Sequence, residues 1–347
     1  MSGLEVNKER RAPKLAEAIW SPYPSLLTRL CRQAGVEYAV GGLPGPGSLA
    51  KGEHPWDYLP LLRWKEDYRA AGFDLIAIEA RPPLNLTKRG LPGRDNEIDA
   101  VCTLLENMGR LGIRVWCYEW MCDFGWMRTA TAVPGRGGSL VSGFDASKLA
   151  GAPDSEFGPI SDQQLWETLE HFLRRVVPVA ERAGVALAIH PDDPPFSPLR
   201  GVARIMRDVE AFQRVIDLVP SDVNGITLCQ GNFALMADDI PHVIRHFGRQ
   251  QKIFFVHLRD VRGTPANFIE TWHDEGPTDV AACLEAYSEV GFDGPLRPDH
   301  VPTVEGDSND QAGYSAYGRL FAVGYIRGIE HALSSRRAPH ASPAPLS

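Results

Sequence analysis

Four short apolar runs in the second half of this 347-residue chain each end in a side chain that binds metals: Ala186-Leu-Ala-Ile-His190, Gly225-Ile-Thr-Leu-Cys229, Ile253-Phe-Phe-Val-His257 and Pro295-Leu-Arg-Pro-Asp299. Runs this short and this apolar read as buried strands. Four successive strands would then deliver two imidazoles, a thiolate and a carboxylate, a ligand set for a divalent transition metal that leaves positions open if coordination expands to five or six. Thiolate and imidazole suit Zn2+ or Fe2+, and the carboxylate also accommodates Mn2+. Taken singly, a strand-end histidine is more often a hydrogen-bonded core residue and a buried cysteine is usually packing. The joint pattern is what points to a metal. Because strand side chains alternate between faces, Asp192, Arg259 and Arg297, each two residues from a ligand, are expected around it.

The elements that must position these residues repeat along the chain. Eight candidate strands fall at Leu15 to Trp20, Val36 to Gly41, Leu75 to Ala80, Arg114 to Trp120, Ala186 to His190, Gly225 to Cys229, Ile253 to Leu258 and Pro295 to Asp299. Amphipathic helical stretches alternate with them, at about Ser25 to Ala34, Leu61 to Ala71, Glu97 to Leu111, Asp162 to Ala183, Val209 to Leu218, Ile240 to Phe247, Val280 to Val290 and Tyr317 to His331. Several helices end in a glycine just before the next strand (Gly35, Gly72, Gly112, Gly184, Gly291), where a left-handed residue turns the chain. Eight such units with near-continuous apolar strands predict a (β/α)8 barrel. A doubly wound open sheet is the alternative, and no GxGxxG after the first strand supports it. The long insertions all follow strands, on the face where barrel enzymes hold their sites. One of them, Ala132 to Pro159, reads as a lid, an interface arm or a plain surface loop. A single barrel domain is expected over residues 13–334, with unstructured ends at 1–12 and 335–347.

Composition narrows the function. The net charge of -8 argues against nucleic-acid or acidic-membrane partners, both of which need a basic surface. No apolar run approaches the ~20 residues of a membrane span. Six cysteines without CxxC pairing indicate neither a disulfide framework nor structural zinc. The expected setting is cytoplasmic, and association into a homo-oligomer is expected for a barrel of this size.

The runs Ala188-Ile-His-Pro-Asp-Asp-Pro-Pro195, Gly225-Ile-Thr-Leu-Cys-Gln-Gly231, Val256-His-Leu-Arg-Asp-Val261 and Arg297-Pro-Asp-His300 resemble motifs of the metal-dependent mannonate dehydratase family, whose barrel is xylose-isomerase-like. Trp126-Met-Arg-Thr129, Gly313-Tyr314 and Gly318-Arg319 extend the similarity, which runs from about Ile76 to Ile329. The resemblance implies Mn2+ or a similar ion (Fe2+, Co2+ or Zn2+) held by His190, Cys229, His257 and Asp299, and a sugar acid as substrate. Water would be removed by taking the proton α to the carboxylate and expelling the β-hydroxyl, leaving a 2-keto-3-deoxy acid. His300 and Tyr314 are then the acid/base candidates. Arg297 and Arg128 are expected to anchor carboxylate or hydroxyl groups beside Trp126, Asp192 and Arg259.

Two departures stand out. Where the family has a Tyr-Asn-Phe-Met-Pro run ending in Asp-Trp-Thr-Arg-Thr, this chain has Tyr118-Glu119-Trp120-Met121-Cys122 and Gly125-Trp126-Met127-Arg128-Thr129. Glu119 puts a charge where the family has an amide, and Gly125 removes a carboxylate. A changed surround with an intact ligand set predicts the same reaction type on a different sugar acid. The alternative is an isomerase or epimerase that uses Glu119 as its base, and a third reading is a sugar-binding protein without turnover.

Overall fold

Strands that are apolar on both faces need both covered, by helices on each side of an open sheet or by helices outside and closure of the strands upon themselves inside. The computed structural model, which describes residues 12–337, has the closed arrangement. Twelve strands are β1 (Lys14–Ala18), β2 (Tyr38–Gly41), β3 (Asp74–Ile78), β4 (Val115–Glu119), β5 (Ala130–Pro134), β6 (Leu140–Asp145), β7 (Ala186–His190), β8 (Asn224–Cys229), β9 (Ile253–Leu258), β10 (Val261–Thr264), β11 (Asn267–Glu270) and β12 (Pro295–Pro298). Eight of them form a closed parallel barrel in the order β1-β12-β9-β8-β7-β4-β3-β2. These are the eight strands expected from the apolar runs.

The helix Asp162–Ala183 shows why the covering elements form. Ser161 accepts the Gln164 N–H and the Gln164 side chain returns to the Ser161 N–H, a reciprocal cap. Leu165, Leu169, Phe172, Leu173, Val176 and Ala180, at helical spacing, are buried against the barrel. Gly184 closes the helix at φ 64°, a conformation that costs glycine little.

The barrel interior below the site is filled by a separate cluster of mostly small residues, Ala16, Val40, Ala77, Val115, Cys117, Ala188 and Phe255. Phe255 stands edge-on to the His257 ring, centroids 4.5 Å apart, so the site rests on a mostly apolar floor.

A second sheet was not expected. Four strands in the order β10-β11-β6-β5 pair antiparallel, built from insertions that follow β4 and β9. The stretch read as a lid, arm or surface loop thus supplies β6 and the end of β5. Residues 1–11 and 338–347, most of the two ends read as unstructured, lie outside the described residues, while 335–337 continue the last helix, Ala316–Arg337. Among the described residues no helix is long and apolar enough to cross a membrane.

Candidate metal centre and active site

Strand register brings the four expected ligands together. Cys229 pairs with His257 across β8 and β9, and Arg297 pairs with His257 from the other side, which sets Asp299 just above. One ligand atom from each of His190, Cys229 and His257 lies within 4.8 Å of the others. An Asp299 oxygen stands 3.9 Å from the Cys229 sulfur and 3.8 Å from His257 Nδ1.

The polar neighbours of each ring indicate its tautomer. His190 Nδ1 lies 2.7 Å from the Pro191 carbonyl, which can only accept, so Nδ1 carries the proton and Nε2 presents its lone pair. His257 Nε2 faces the Glu79 carboxylate at 3.4 Å, and Arg297 Nη2 approaches Nδ1 at 3.4 Å, so the proton sits on Nε2 and Nδ1 is the acceptor. The two acceptor nitrogens, His190 Nε2 and His257 Nδ1, are then only 3.1 Å apart. Facing lone pairs beside a thiol and a carboxylate suit a cation, and a carboxylate behind a ligating histidine is a common way to orient it. The donor set therefore fits a divalent metal.

Around it lies a buried network of ions. Arg297 donates to both Glu79 oxygens, at 2.9 and 3.0 Å, and to Asp299 at 2.8 Å. Arg259 donates to Asp299 at 3.0 Å, to Asp193 at 2.7 Å and to both Glu270 oxygens at 2.9 and 3.0 Å. Arg128 bridges Asp193 and Glu270. Burial pushes each carboxyl up, but the guanidiniums prevail. Glu79 is held down at about 2 by Arg297 and His257, and Glu270 at about 2 by Arg259, His300 and Arg128. Arg259 passes close to backbone: a Cβ on Gly231 would meet its Nη1 at 2.6 Å.

Glu270 also bonds His300 Nδ1 at 3.0 Å. An ionised carboxylate only accepts, so His300 carries a proton on Nδ1, and Nε2 faces Asp299 at 3.8 Å. Trp126 and Tyr314 pack edge-on against the His300 ring, each 5.4 Å away by centroid, and the Tyr314 hydroxyl donates to Asp299 at 3.4 Å. These groups surround a cavity of about 260 Å³, lined also by Glu79, Arg81, Glu119, His190, Asp193, His257 and Arg297.

Of the twelve residues expected at the site, His190, His257, Asp299, His300, Tyr314, Arg297, Trp126 and Glu119 line the cavity. Cys229 lies beside them, fully buried. Three differ from expectation. Asp192 faces away: its carboxylate accepts the Met206 N–H at 2.8 Å and sits 3.5 Å from Arg204. The strand ends at His190, so the two-residue alternation does not carry to 192, and Asp193 lines the cavity instead. Arg128 and Arg259 are buried among carboxylates, Arg259 with every donor taken and Arg128 with both terminal nitrogens taken and Nε unpaired among the described residues, and they support the site without lining it.

Glu119 lines the cavity, but its surroundings oppose the part of a base. Lys88 donates to both its oxygens at 2.9 Å, Arg81 to one at 2.5 Å and the Met121 N–H to the other at 2.6 Å. Against the upward push of burial, Lys88 and Arg81 hold its carboxyl at about 2. Glu79, Arg81, Lys88, Asp193 and Glu270 escaped the sequence reading. Glu79 follows the third apolar run as the ligands follow theirs, so the same rule finds it.

Comparison with known proteins identifies the family. A family profile described as D-mannonate dehydratase (UxuA) matches residues 20–158 and 152–340. The chain is 34% identical to Mannonate dehydratase 2 of Halalkalibacterium halodurans over 308 residues, 81% of this chain and 88% of that protein. It is 32% identical to the mannonate dehydratase of Thermotoga neapolitana over 338 residues, 87% of this chain and 92% of the other. A crystal structure of mannonate dehydratase from Streptococcus suis serotype 2 superposes with a TM-score of 0.85 at 30% identity, covering 97% of this chain and 99% of that one. An L-ribulose 3-epimerase, at a TM-score of 0.55 and 15% identity, shares the fold alone. The chain therefore belongs to the D-mannonate dehydratase family of enzymes.

Proposed function

We propose that this enzyme removes water from a sugar acid, with His300 as base and Tyr314 as acid, beside a divalent ion, Mn2+ first among the options, held by His190, Cys229, His257 and Asp299. The observation that carries the reading is the meeting, at one cavity, of the His190, Cys229 and His257 cluster, with Asp299 beside it, and the Glu270-oriented His300. When bound, the cation supplies a Lewis acid that draws charge from the substrate carboxylate and so acidifies the neighbouring C–H.

The chain's own residues do the rest. Glu270 holds the His300 proton on Nδ1, so Nε2 is free to accept the proton from C2. The Tyr314 hydroxyl, which points its proton at Asp299, turns it to the departing C3 hydroxyl. The C2 proton and the C3 hydroxyl leave, and the resulting enol becomes a 2-keto-3-deoxy acid. Trp126 and Tyr314 close over the histidine and limit water beside the reacting carbons. Free thiols at every described cysteine accord with a reducing, cytoplasmic setting.

The test is turnover of metal-stripped protein reloaded with Mn2+, on a panel of aldonates and uronates, with Cys229→Ser as control. Formation of a 2-keto-3-deoxy acid by the wild type and at least about a hundredfold loss in the control supports the reading. A product of unchanged mass would favour isomerisation and overturn it.

A further inference from the structure

The cavity wall across from His257 and Asp299 is the part of the site that dehydration leaves unused. In the closed barrel order β3 lies four strands from β9, and β4 four from β12. The end of β3 therefore lies opposite His257, and the end of β4 lies opposite Asp299 and His300 while standing beside His190, with which Glu119 is in register. The two ends carry Arg81 and Glu119, which both line the cavity.

Glu119 is fully engaged by Lys88, Arg81 and the Met121 amide. Its carboxylate has no lone pair left for a sugar hydroxyl, and it serves as an anchor. Arg81 spends Nε on Glu119 and Nη1 on the Pro82 carbonyl, while Nη2 makes no hydrogen bond among the described residues. Its side chain is 26% exposed. The other arginine on the cavity, Arg297, gives its donors to Glu79, Asp299 and Pro298. Arg81 is thus the lining arginine with an open donor edge.

Charge points the same way. Lys88 and Arg81 against Glu119 leave the wall with one net positive charge. On the catalytic side Arg297, Arg259 and Arg128 face Glu79, Asp299, Asp193 and Glu270, one negative charge in excess. An anion at the far end of a substrate would meet the one cationic wall that has nothing to neutralise it, and a guanidinium edge suits a planar carboxylate.

Resting on the proposed dehydration, we infer that Arg81, braced by Glu119 and Lys88, binds a second carboxylate at the end of the substrate far from the metal, so that the preferred substrate is a sugar diacid. D-mannonate offers only a hydroxyl at that end. The reaction is unchanged: the C2 proton and C3 hydroxyl leave as water and the far carboxylate is a spectator.

The experiment compares Mn2+-loaded wild type, Arg81→Met and Arg81→Lys on D-mannonate, D-mannarate (the diacid with the same stereocentres) and 6-phospho-D-mannonate, with calorimetric titration of each acid and a melting curve for each variant. The expected result is a higher kcat/KM on D-mannarate in the wild type. Arg81→Met should lower that value roughly 10- to 100-fold more than the value for D-mannonate, the size expected for a lost charge-assisted hydrogen bond, with Arg81→Lys between the two. Preference for D-mannonate or for the phosphorylated acid in the wild type, or an equal fall on mono- and diacid in Arg81→Met, overturns the inference and leaves the dehydratase reading standing. Loss of water from none of the acids overturns the dehydratase reading instead. Even then, tighter calorimetric binding of the diacid that Arg81→Met abolishes supports the assignment of Arg81, and its absence refutes it.

Discussion

Glu270→Gln separates support of the fold from support of the chemistry. The carboxylate is 3% exposed, receives Arg259 on both oxygens and Arg128 on one, and fixes the His300 tautomer. A carboxyl held at about 2 instead of its ordinary 4.5 favours its ionised form in the fold by roughly 3 kcal/mol, at about 1.36 kcal/mol per pH unit. A glutamine resembles the protonated acid, so the substitution should cost on that order, within the ~3–5 kcal/mol typical of breaking a buried ion network. Thermal unfolding should fall by several degrees. The amide can still accept from one neighbour, but it can equally donate to His300 and turn the proton onto Nε2, where the base would be blocked. The kcat should therefore fall about 100- to 10,000-fold, with little change in KM because Glu270 does not line the cavity. Circular dichroism melts and steady-state assay of 2-keto-3-deoxy acid read the two effects apart. A variant that melts early yet keeps kcat within threefold would show that Glu270 braces the arginines only and that His300 does not depend on it.

Two further outcomes follow from the same geometry. Because the Glu119 carboxyl is depressed to about 2 from 4.5, its ion pairs contribute stability that is present above pH 4.5 and lost as the pH falls toward 2. Denaturant unfolding of wild type and Glu119→Gln should differ by up to about 3 kcal/mol near pH 6, by roughly half of that near pH 3, and converge toward pH 2; a difference that stays constant with pH would refute the ion-pair account. Gly231→Ala would place a Cβ 2.6 Å from Arg259 Nη1 and should destabilise by about 1–3 kcal/mol, the usual cost of overpacking, and it should lower kcat through Asp299 and Glu270. Unchanged melting and activity would show that Arg259 can shift without consequence.

What could be read from sequence, and what could not, divides along a physical line. Strands buried on both faces announce themselves as short apolar runs, and a polar residue at the end of such a run has nowhere to point except the mouth of the barrel. His190, Cys229, His257 and Asp299 were legible for that reason, and Glu79 obeys the same rule. Asp192 was misread because the period of two holds only while the chain remains extended, and β7 ends at His190. Glu119 was placed correctly on the cavity, but its role depends on Lys88, which arrives from the short helix Asn85–Arg89 inside a stretch that looked like loop. Glu270 ends a four-residue strand, Asn-Phe-Ile-Glu, too short for its alternation to rise above that of a loop.

The second sheet is what makes these hidden residues matter. Burying Glu79, Asp193, Glu270 and Asp299 with three arginines gains little stability over an apolar core of the same shape, so the arrangement is better explained by the directions it imposes. Asp299 is aimed by Arg297 and Arg259, His257 by Glu79, and His300 by Glu270. Only the last of these comes from outside the barrel. It is carried by β11, which pairs with β6 from the insertion after β4 and with β10 from the insertion after β9. Docking of that sheet onto the barrel and the setting of the His300 proton are therefore one event: a molecule whose second sheet has lifted would retain His190, Cys229, His257 and Asp299 on the barrel and lose the Glu270 contact that orients the proposed base.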